Sequence, residues 1–289
     1  MPLFRKQRDK SQAERLAAWR LDSIPSRDFS AEMDALLAEL GLGTERKRGV
    51  WIPSVGSGPL FLRWLDEDRV LAGFVALDDT HDPGALTDLL RRNLDPWLVW
   101  FALDDADTDS LGVRFKLPLD AFDRDAVLLG VETIAGLAGD DDVAGRARAM
   151  RATAAGEMEE QVAHARTREA LAAGIEAAGL AAKERDGVCE IEVERGVVQA
   201  IPRDTGESVL FMHELAYDYG TDHVDMLRWL LAASDWSGAR IGLAPLPGGE
   251  GAFAAAAVAA ADLQPQAVAW GVEQVLRVAD EYDDKTGQA

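Results

Sequence analysis

Residues 130–142 read GVETIAGLAGDDD, and residues 271–284 read GVEQVLRVADEYDD. Each stretch begins with Gly-Val-Glu, continues as an apolar run and ends in an acidic cluster, and an offset of about 141 residues superimposes them. A second pair agrees at an offset of about 138 residues: residues 41–55 read GLGTERKRGVWIPSV, and residues 179–193 read GLAAKERDGVCEIEV. The sequence therefore predicts one domain that is encoded twice.

The composition is that of an acidic globular protein. The chain has 289 residues, of which 48% are hydrophobic, and a formal net charge of −21. This length suits two domains, in agreement with the repeat. A negative surface disfavours nucleic acid and anionic membranes, whose binding depends on Lys and Arg. It would favour a polypeptide partner with basic segments, although acidity also serves solubility alone.

The cysteine content and the apolar runs indicate a cytoplasmic protein. Cys189 is the single cysteine, which excludes an internal disulfide and suits a reducing compartment. The N-terminal sequence MPLFRKQRDKSQAER lacks the apolar centre of a signal peptide. The sequence also has no run approaching the roughly 20 apolar residues of a membrane span, so we expect no membrane segment.

Each copy is predicted to run helix, three strands, helix, two strands, helix. In the first copy, tight turns at residues 56–58 and 66–68 separate three apolar segments, which favours an antiparallel meander. Pro53 interrupts the first of these segments and indicates an edge strand over residues 50–55. The matching candidate edge in the second copy is residues 188–193. The fold class is thus α+β, with two tandem α-β-β-β-α-β-β-α domains, each an antiparallel sheet with helices packed on one face.

The predicted boundaries follow the repeat. They are a basic N-terminal tail over residues 1–27, a first domain over 28–142, a helical connector over 143–165, a second domain over 166–284 and a short tail over 285–289. The tail carries seven basic and three acidic residues. We expect it to be mobile; in the alternative, it lies on the acidic surface of its own protein and covers a binding groove. The Ala-rich connector is expected to be a solvated helix.

Residues 252–261, AFAAAAVAAA, give conflicting signals. Intrinsic propensity makes an alanine run helical, whereas the repeat register places it on the fifth strand. The preceding Gly248-Gly249 turn and the following Pro265 favour the strand. Because an alanine strand is thin, a bulky side chain should lie against it.

The residues that usually carry catalysis form no recognisable motif. The four histidines, His81, His164, His213 and His223, lack a metal-ligand spacing. Cys189 falls on a predicted strand, and no nucleophile elbow or phosphate loop is present. The acidic clusters at residues 104–109 and 140–142 lack the spacing of a calcium-binding loop. We therefore predict no catalytic residue, metal site or cofactor, and a function that is not enzymatic.

The aromatic residues of the first meander are the candidate peptide-binding residues: Trp51, Phe61, Trp64 and Phe74. Most must belong to the core. Phe61 and Trp64 are three positions apart on one strand, so they point to opposite faces of the sheet. One of them could belong to an apolar surface patch that binds protein.

The element order, the acidity and the repeat together resemble the type III secretion chaperone fold, in a tandem form of its YbjN-like branch. The resemblance covers residues 29–142 and 167–284. It implies binding of extended or partly unfolded polypeptide on the sheet and helix surfaces. It also implies pairing of two domains, here as an intramolecular pseudo-dimer, with homodimerisation left open. The basic tail and the connector depart from the family pattern.

The expected function is a peptide-binding chaperone or adaptor that takes an extended client by strand addition at a sheet edge. The alternative is a structural or regulatory subunit of a stable bacterial complex, with its apolar faces permanently covered. A hydrolase with an unrecognised site is the third reading.

Overall fold

The computed structural model describes most of the chain. The described residues are 11–24, 27–43, 45–56, 58–67, 69–77, 82–95, 98–103, 111–118, 122–155, 160–203, 207–215, 224–233, 239–246, 249–260 and 263–286.

The first repeat builds an antiparallel sheet with helices. Its elements are α2 (Ser30–Glu39), β1 (Arg46–Lys47), β2 (Val50–Trp51), β3 (Ser54–Val55), β4 (Gly58–Leu65), β5 (Val70–Ala76), α3 (Pro83–Arg92), β6 (Val99–Leu103), β7 (Leu111–Pro118) and α4 (Arg124–Leu137). The spatial order is β1-β2-β4-β5-β7-β6, with β3 paired to β4 off this path.

The second repeat builds a sheet of the same plan. Its elements are α6 (Glu160–Ala177), β8 (Ala182–Arg185), β9 (Val188–Val193), β10 (Gly196–Pro202), β11 (Ser208–Leu215), α7 (Val224–Ala233), β12 (Arg240–Leu246), β13 (Gly249–Ala259) and α8 (Pro265–Thr286). The spatial order is β8-β9-β10-β11-β13-β12, again antiparallel. The predicted fold class, α+β with two tandem sheets, is confirmed.

The alanine-rich segment is a strand, as its repeat register predicts. In the first sheet, Gly73 on β5 lies opposite Phe115 on β7, and a Cβ on Gly73 would lie only 2.3 Å from the Phe115 ring. In the second sheet, the paired positions hold Phe211 on β11 and Ala256 on β13. The phenylalanine is thus on β7 in the first sheet, but in the second sheet it is on β11, which is the equivalent of β5. Phe211 is fully buried and is the bulky residue expected against the alanine strand.

The glycine of each repeated Gly-Val-Glu lies over one of these phenylalanine rings. A Cβ on Gly271 in α8 would lie 2.5 Å from the Phe211 ring, and one on Gly130 in α4 would lie 3.5 Å from Phe115. A side chain at Gly271 would therefore force the ring or the helix to move. The small residue brings the helix close to the sheet, which explains why the repeated stretch begins with glycine.

The glutamate of each Gly-Val-Glu binds a further helix. α1 (Gln12–Ser23) packs on α8, and α5 (Asp141–Ala155) packs on α4. Arg20 Nε of α1 donates to Glu273 Oε2 at 3.1 Å, and both side chains are fully buried. Arg148 Nε and Arg151 Nη1 of α5 donate to Glu132 at 2.8 and 2.6 Å. Each repeat is thus preceded by a helix that packs on the last helix of the other repeat, and we call α1 and α5 the exchanged helices.

Residues 12–23 of the predicted basic tail are therefore an ordered helix. Ser11 and Glu14 form a capping box at its start. Ala13, Leu16 and Arg20 share one helical face and are buried. This capping box and spacing are present in the sequence, but the excess of basic residues obscured them. Of the alternative, the contact with its own protein is seen between α1 and α8, whereas the covering of a binding groove stays a prediction. Residues 1–10 lie outside the described residues.

The predicted connector also contributes to the core. Val143, Ala144 and Ala147 of α5 are buried, and Arg146 Nε donates to the Leu40 carbonyl oxygen at 2.8 Å. One face of this segment is packed rather than solvated. Its alanines were a weak signal because alanine suits both exposed and buried helix positions.

The two repeats meet at their middle helices. α3 contacts α7, α3 also packs on β12, and α7 packs on β6. Asn93 Nδ2 donates to the carbonyl oxygens of Phe101 and Ile241, each at 3.0 Å, and Asn93 Oδ1 accepts from Phe101 N at 2.8 Å. Arg240 donates to the carbonyl oxygens of Asn93 and Asp95. Burial lowers the pKa of Arg240 to about 9, so the guanidinium stays charged at neutral pH. This interface covers the terminal strands β6 and β12.

We expect Asp140→Ala to lower the free energy of unfolding by about 1 kcal/mol at pH 7, the usual value for a helix cap. Asp140 accepts from Gly56 N at 2.7 Å and from Val143 N at 3.0 Å. The Gly56 N–H, followed by the Val143 N–H, holds the pKa of this carboxyl below its ordinary value. Its contribution is therefore complete above the unfolded pKa, about 4, and is lost as the pH falls through the lower folded pKa.

Urea unfolding of both proteins at several pH values checks this prediction. The difference between wild type and variant should shrink in strong acid. The control is Asp142→Ala, two residues further along the chain. Asp142 is exposed, so its replacement should lower the free energy of unfolding by less. A difference that did not depend on pH would contradict the role given to the Asp140 carboxylate.

Candidate functional site

The face of the first sheet opposite α4 is the candidate site, and we call it the outer face. Along β4, Leu60 and Leu62 are fully buried on the helix side. Phe61 and Arg63 alternate with them and are exposed. Because successive strand side chains point to opposite faces, Phe61 and Arg63 lie on the outer face.

An aromatic row crosses the outer face. Strand pairing places four side chains next to one another, Phe61 on β4, Phe74 on β5, Arg114 on β7 and Trp100 on β6. The Phe61 and Phe74 rings are stacked, with centroids 6.2 Å apart. The Arg114 guanidinium carbon lies 4.9 Å from the Phe74 ring centroid, a cation–π contact. Phe61 is 37% exposed, whereas Trp100 is buried at the end next to α7.

A basic row lies two residues further along the same strands. It consists of Val50, Arg63, Ala72 and Lys116, again paired side by side. The two rows line a groove of about 280 Å³, which we call the outer-face groove. The described residues that line it include Arg63, Arg114 and Lys116 and no carboxylate. The groove therefore combines exposed aromatic surface with positive charge.

The structure separates the four candidate aromatics into two pairs. Phe61 and Phe74 are together on the outer face. Trp51 is buried on the other face, where its Nε1 donates to Asp34 Oδ1 at 2.6 Å. Trp64 is half-buried there, and its ring meets Phe29 edge-on at 5.0 Å. The alternation of strand side chains separates Phe61 from Trp64, and it leaves Phe61 as the surface residue.

The basic residues of the groove were not among the sequence candidates. Arg114 and Lys116 alternate with Val113, Phe115 and Leu117 on β7, so the sequence does place them on one strand face. Bringing them next to Phe74 and Ala72 requires the β5–β7 pairing, which joins strands separated by a helix and a further strand. That long-range register was the missing signal.

The second repeat carries different side chains at the equivalent positions. Its rows are Gln199, Met212, Ala255 and Arg240, and Ile201, Leu210 and Ala257. Arg240 is buried against Asn93 at the interface of the repeats. A groove of about 440 Å³ on this sheet is lined by Arg195 and Glu214, which have opposite charges. The two rows that combine aromatic and basic residues are thus on the first sheet.

The polar residues considered for chemistry have structural contacts. His164 Nδ1 lies 3.0 Å from the Arg203 carbonyl oxygen, and His213 Nδ1 lies 2.9 Å from that of Val197. Cys189 is half-buried, and burial raises the pKa of its thiol, which disfavours the reactive thiolate. Within the described ranges, no group of His, Cys, Asp or Glu could hold a metal ion. His81, His223 and the cluster at residues 104–109 lie outside those ranges.

The sheet edges differ in part from the prediction. Residues 188–193 are not outermost, because β8 pairs outside β9. In the first sheet β1 pairs outside β2 over Val50–Trp51, whereas in the described residues β3 (Ser54–Val55) pairs with β4 alone, so the predicted edge holds there. All four residues of β8 are exposed, and Lys183 there pairs with Glu192. Charged side chains on an exposed edge discourage pairing with another strand. A groove of about 540 Å³ beside β8 includes Ile175 and Leu180, but the charged edge makes β8 a weaker candidate than the outer face.

Comparisons with protein-family profiles, with curated proteins and with solved structures find no match. In the part of the chain that the structure describes, none of the helices is both long and apolar enough to cross a membrane.

Proposed function

We propose that this protein is a non-enzymatic chaperone or adaptor that holds an extended polypeptide segment on the outer face of its first sheet. The observation that carries the proposal is the stacked pair of exposed Phe61 and half-buried Phe74 in the lining of a groove. Accessible aromatic surface beside Arg side chains is typical of protein-binding surfaces, where aromatic and Arg side chains supply most of the binding energy.

The position of the groove also supports binding on the face of the sheet. The edges β6 and β12 are covered by the repeat interface, and β1 and β8 carry charged side chains. The face offers several side chains at once, whereas those edges offer little apolar surface. The resemblance to the type III secretion chaperone fold and a cytoplasmic location belong to the same proposal, supported by the element order and the single cysteine.

The alternative is a structural or regulatory subunit of a stable complex. The acidic chain and its two joined repeats suit that role as well. A subunit of this kind would have one partner at constant stoichiometry, whereas a chaperone would bind several unrelated segments through the same residues.

Phe61→Ser is expected to weaken peptide binding about tenfold or more, because truncating a central interface aromatic commonly costs 1–2 kcal/mol or more. Full-length protein is titrated with extended peptides selected from a random peptide library, and hydrogen exchange locates the site. Bound peptide should protect β4 and β5 amides. Thermal unfolding of the variant should change little, since Phe61 is a surface residue.

Val197→Ser is the matched control. Val197 is an apolar strand residue of the second sheet. Its exposed fraction, 41%, is similar to the 37% of Phe61. This variant should bind like the wild type. Peptide affinities that are unaffected by Phe61→Ser, or protection confined to the second repeat, would contradict the proposal.

A further inference from the structure

We propose that residues 4–8 of the protein's own N-terminal tail occupy the groove of about 440 Å³ on the second sheet, which we call the second-sheet groove. Phe4 lies there against Met212, and Lys6 lies beside Glu214. The contact involves the second sheet, so it goes beyond the proposed function and does not depend on it.

The second-sheet groove lies on the face opposite α8. Phe211 packs under Gly271 of α8. Because successive strand side chains point to opposite faces, the next residue, Met212, and its cross-strand partner Gln199 lie on the other face. The groove is thus formed by side chains that α8 leaves uncovered.

Two rows of side chains cross the second-sheet groove. The first row contains Val197, Glu214 and Phe253, and the second row, two residues further along the strands, contains Gln199 and Met212. Val197 and Glu214 are exposed, and Phe253 and Met212 are half-buried. The groove therefore offers accessible apolar surface with a carboxylate beside it.

The start of α1 lies beside the first row. Gln12 Oε1 accepts from Glu194 N at 2.8 Å, and Arg15 forms an ion pair with Glu194. The next residue, Arg195, lines the groove at the turn between β9 and β10. The chain that precedes Ser11 therefore leaves α1 at the rim of the second-sheet groove.

The tail is long enough to reach both rows. An extended chain covers at most about 3.3–3.6 Å per residue, so the seven steps from Ser11 to Phe4 span up to about 23–25 Å. The second row is four residues along β10 from Arg195, or about 13 Å. Phe4 can therefore reach Met212 even along a curved path around the turn.

The order of residues in the tail matches the order of the rows. Going backwards from Ser11, Lys6 comes before Phe4, and going along the groove from the turn, the row of Glu214 comes before the row of Met212. In an extended segment, Lys6 and Phe4 point to the same side about 6.6 Å apart, which is also the separation of the rows. Phe4 therefore meets the apolar Met212 where Lys6 meets Glu214.

The charges also favour this contact. Residues 1–10 contain four basic residues and one acidic residue. In the groove, Arg195 forms ion pairs with Asp280 at 3.1 Å and with Asp283 at 2.7 Å, which neutralise its charge. Glu214 is exposed and has no ion pair within the described residues. The Glu214 carboxylate therefore decides the local sign of the charge, and it attracts a basic segment.

The tail of the same chain is favoured over the tail of a second copy. A segment tethered beside its binding site has an effective concentration on the order of 1 mM. It therefore outcompetes a second copy that is present at micromolar concentration.

The test measures disulfide formation in full-length protein, in which Cys189→Ser removes the native thiol. One variant adds Pro2→Cys and Gln199→Cys, and its matched control adds Pro2→Cys and Phe61→Cys, at the equivalent exposed position of the first sheet. With diamide as the oxidant, the bridge to residue 199 should form within one chain and at least about tenfold faster than the bridge to residue 61, since docking raises the effective concentration of the second thiol.

Two further changes test the named contacts. Phe4→Ser should slow the bridge to residue 199 to the rate of the control, because the aromatic anchor is lost. Glu214→Lys should slow it about threefold or more, because repulsion replaces attraction. Glu67→Lys makes the same change in net charge on an exposed turn of the first sheet and should leave the rate unchanged. Thermal unfolding of the reduced proteins verifies that each variant folds.

A synthetic peptide of residues 1–10 provides a second measurement that needs no cysteine variant. Labelled with a fluorophore, it should bind full-length Phe4→Ser about tenfold more tightly than the wild type, because a groove that its own tail leaves free about one-tenth of the time has a tenfold lower apparent affinity.

Equal bridging rates at residues 199 and 61, or equal affinities of the peptide for the two proteins, would overturn the proposal. Bridges that join two chains, seen as dimers on non-reducing gels, would also overturn it and assign the groove to a second copy. None of these results bears on peptide binding in the outer-face groove, which Phe61→Ser tests separately.

Discussion

Replacing Arg20 by alanine is expected to lower the free energy of unfolding by about 3 kcal/mol, the lower end of the usual cost of breaking a buried ion pair. Arg20 and Glu273 are both fully buried, and the change would leave the Glu273 carboxylate without its partner from α1. Gln274 Nε2 and Arg277 also donate to Glu273, which limits the loss. Urea unfolding followed by circular dichroism measures the difference.

The other repeat supplies the control. Glu132 occupies the position of Glu273, but one of its partners, Arg148, has a side chain that is 72% exposed. Arg148→Ala should therefore cost less than about 1 kcal/mol, as for other exposed pairs. The double variant Arg20→Met with Glu273→Met should regain part of the stability, because the buried carboxylate is removed together with its partner from α1, while Gln274 Nε2 loses its acceptor. Equal effects of Arg20→Ala and Arg148→Ala would refute this account of the exchanged helices.

Phe211→Gly is expected to cost at least about 3–5 kcal/mol, the typical loss for removing a buried phenylalanine side chain. The first repeat indicates a specific compensation. There the ring comes from Phe115 on β7, and Gly73 provides the space opposite it. Adding Ala256→Phe to Phe211→Gly recreates that arrangement in the second repeat, because Phe211 and Ala256 are direct cross-strand partners.

We expect the double variant to be more stable than Phe211→Gly alone, with a coupling free energy of about 1–3 kcal/mol. Ala256→Phe alone should be destabilising by about 1–3 kcal/mol, since it adds a second ring to a filled core. Denaturant unfolding of the four proteins gives the coupling. Additive effects would show that the two cores are packed differently, despite their shared strand order.

Much of the fold could be predicted because the sequence contains the same domain pattern twice. The repeat register assigned β13 correctly where alanine propensity pointed to a helix, since the equivalent β7 has the clear alternation of Leu111, Val113, Phe115 and Leu117. For Phe211, the sequence predicted only that some bulky side chain would pack against the alanine-rich strand. Its identity depends on the pairing of β11 with β13, which is a contact between distant segments.

The candidate site was predicted in part for a similar reason. Alternation along β4 separates Phe61 from Trp64, but it does not show which face the helices cover. The basic row depends on a register between β5 and β7. The helix α1 was missed because its buried face includes Arg20, and a charged residue counts as exposed unless its partner, 253 positions away, is known.

The contact between α1 and α8 imposes an order on biosynthesis. Arg20 leaves the ribosome 253 residues before Glu273, a delay of about 13–50 s at typical translation rates of about 5–20 residues per second. During that interval the emerging α1 has no docking surface, and its guanidinium remains hydrated. The fold can be completed only after α8 has been synthesised. In a prematurely terminated chain, α1 would therefore remain undocked and accessible to quality-control proteases.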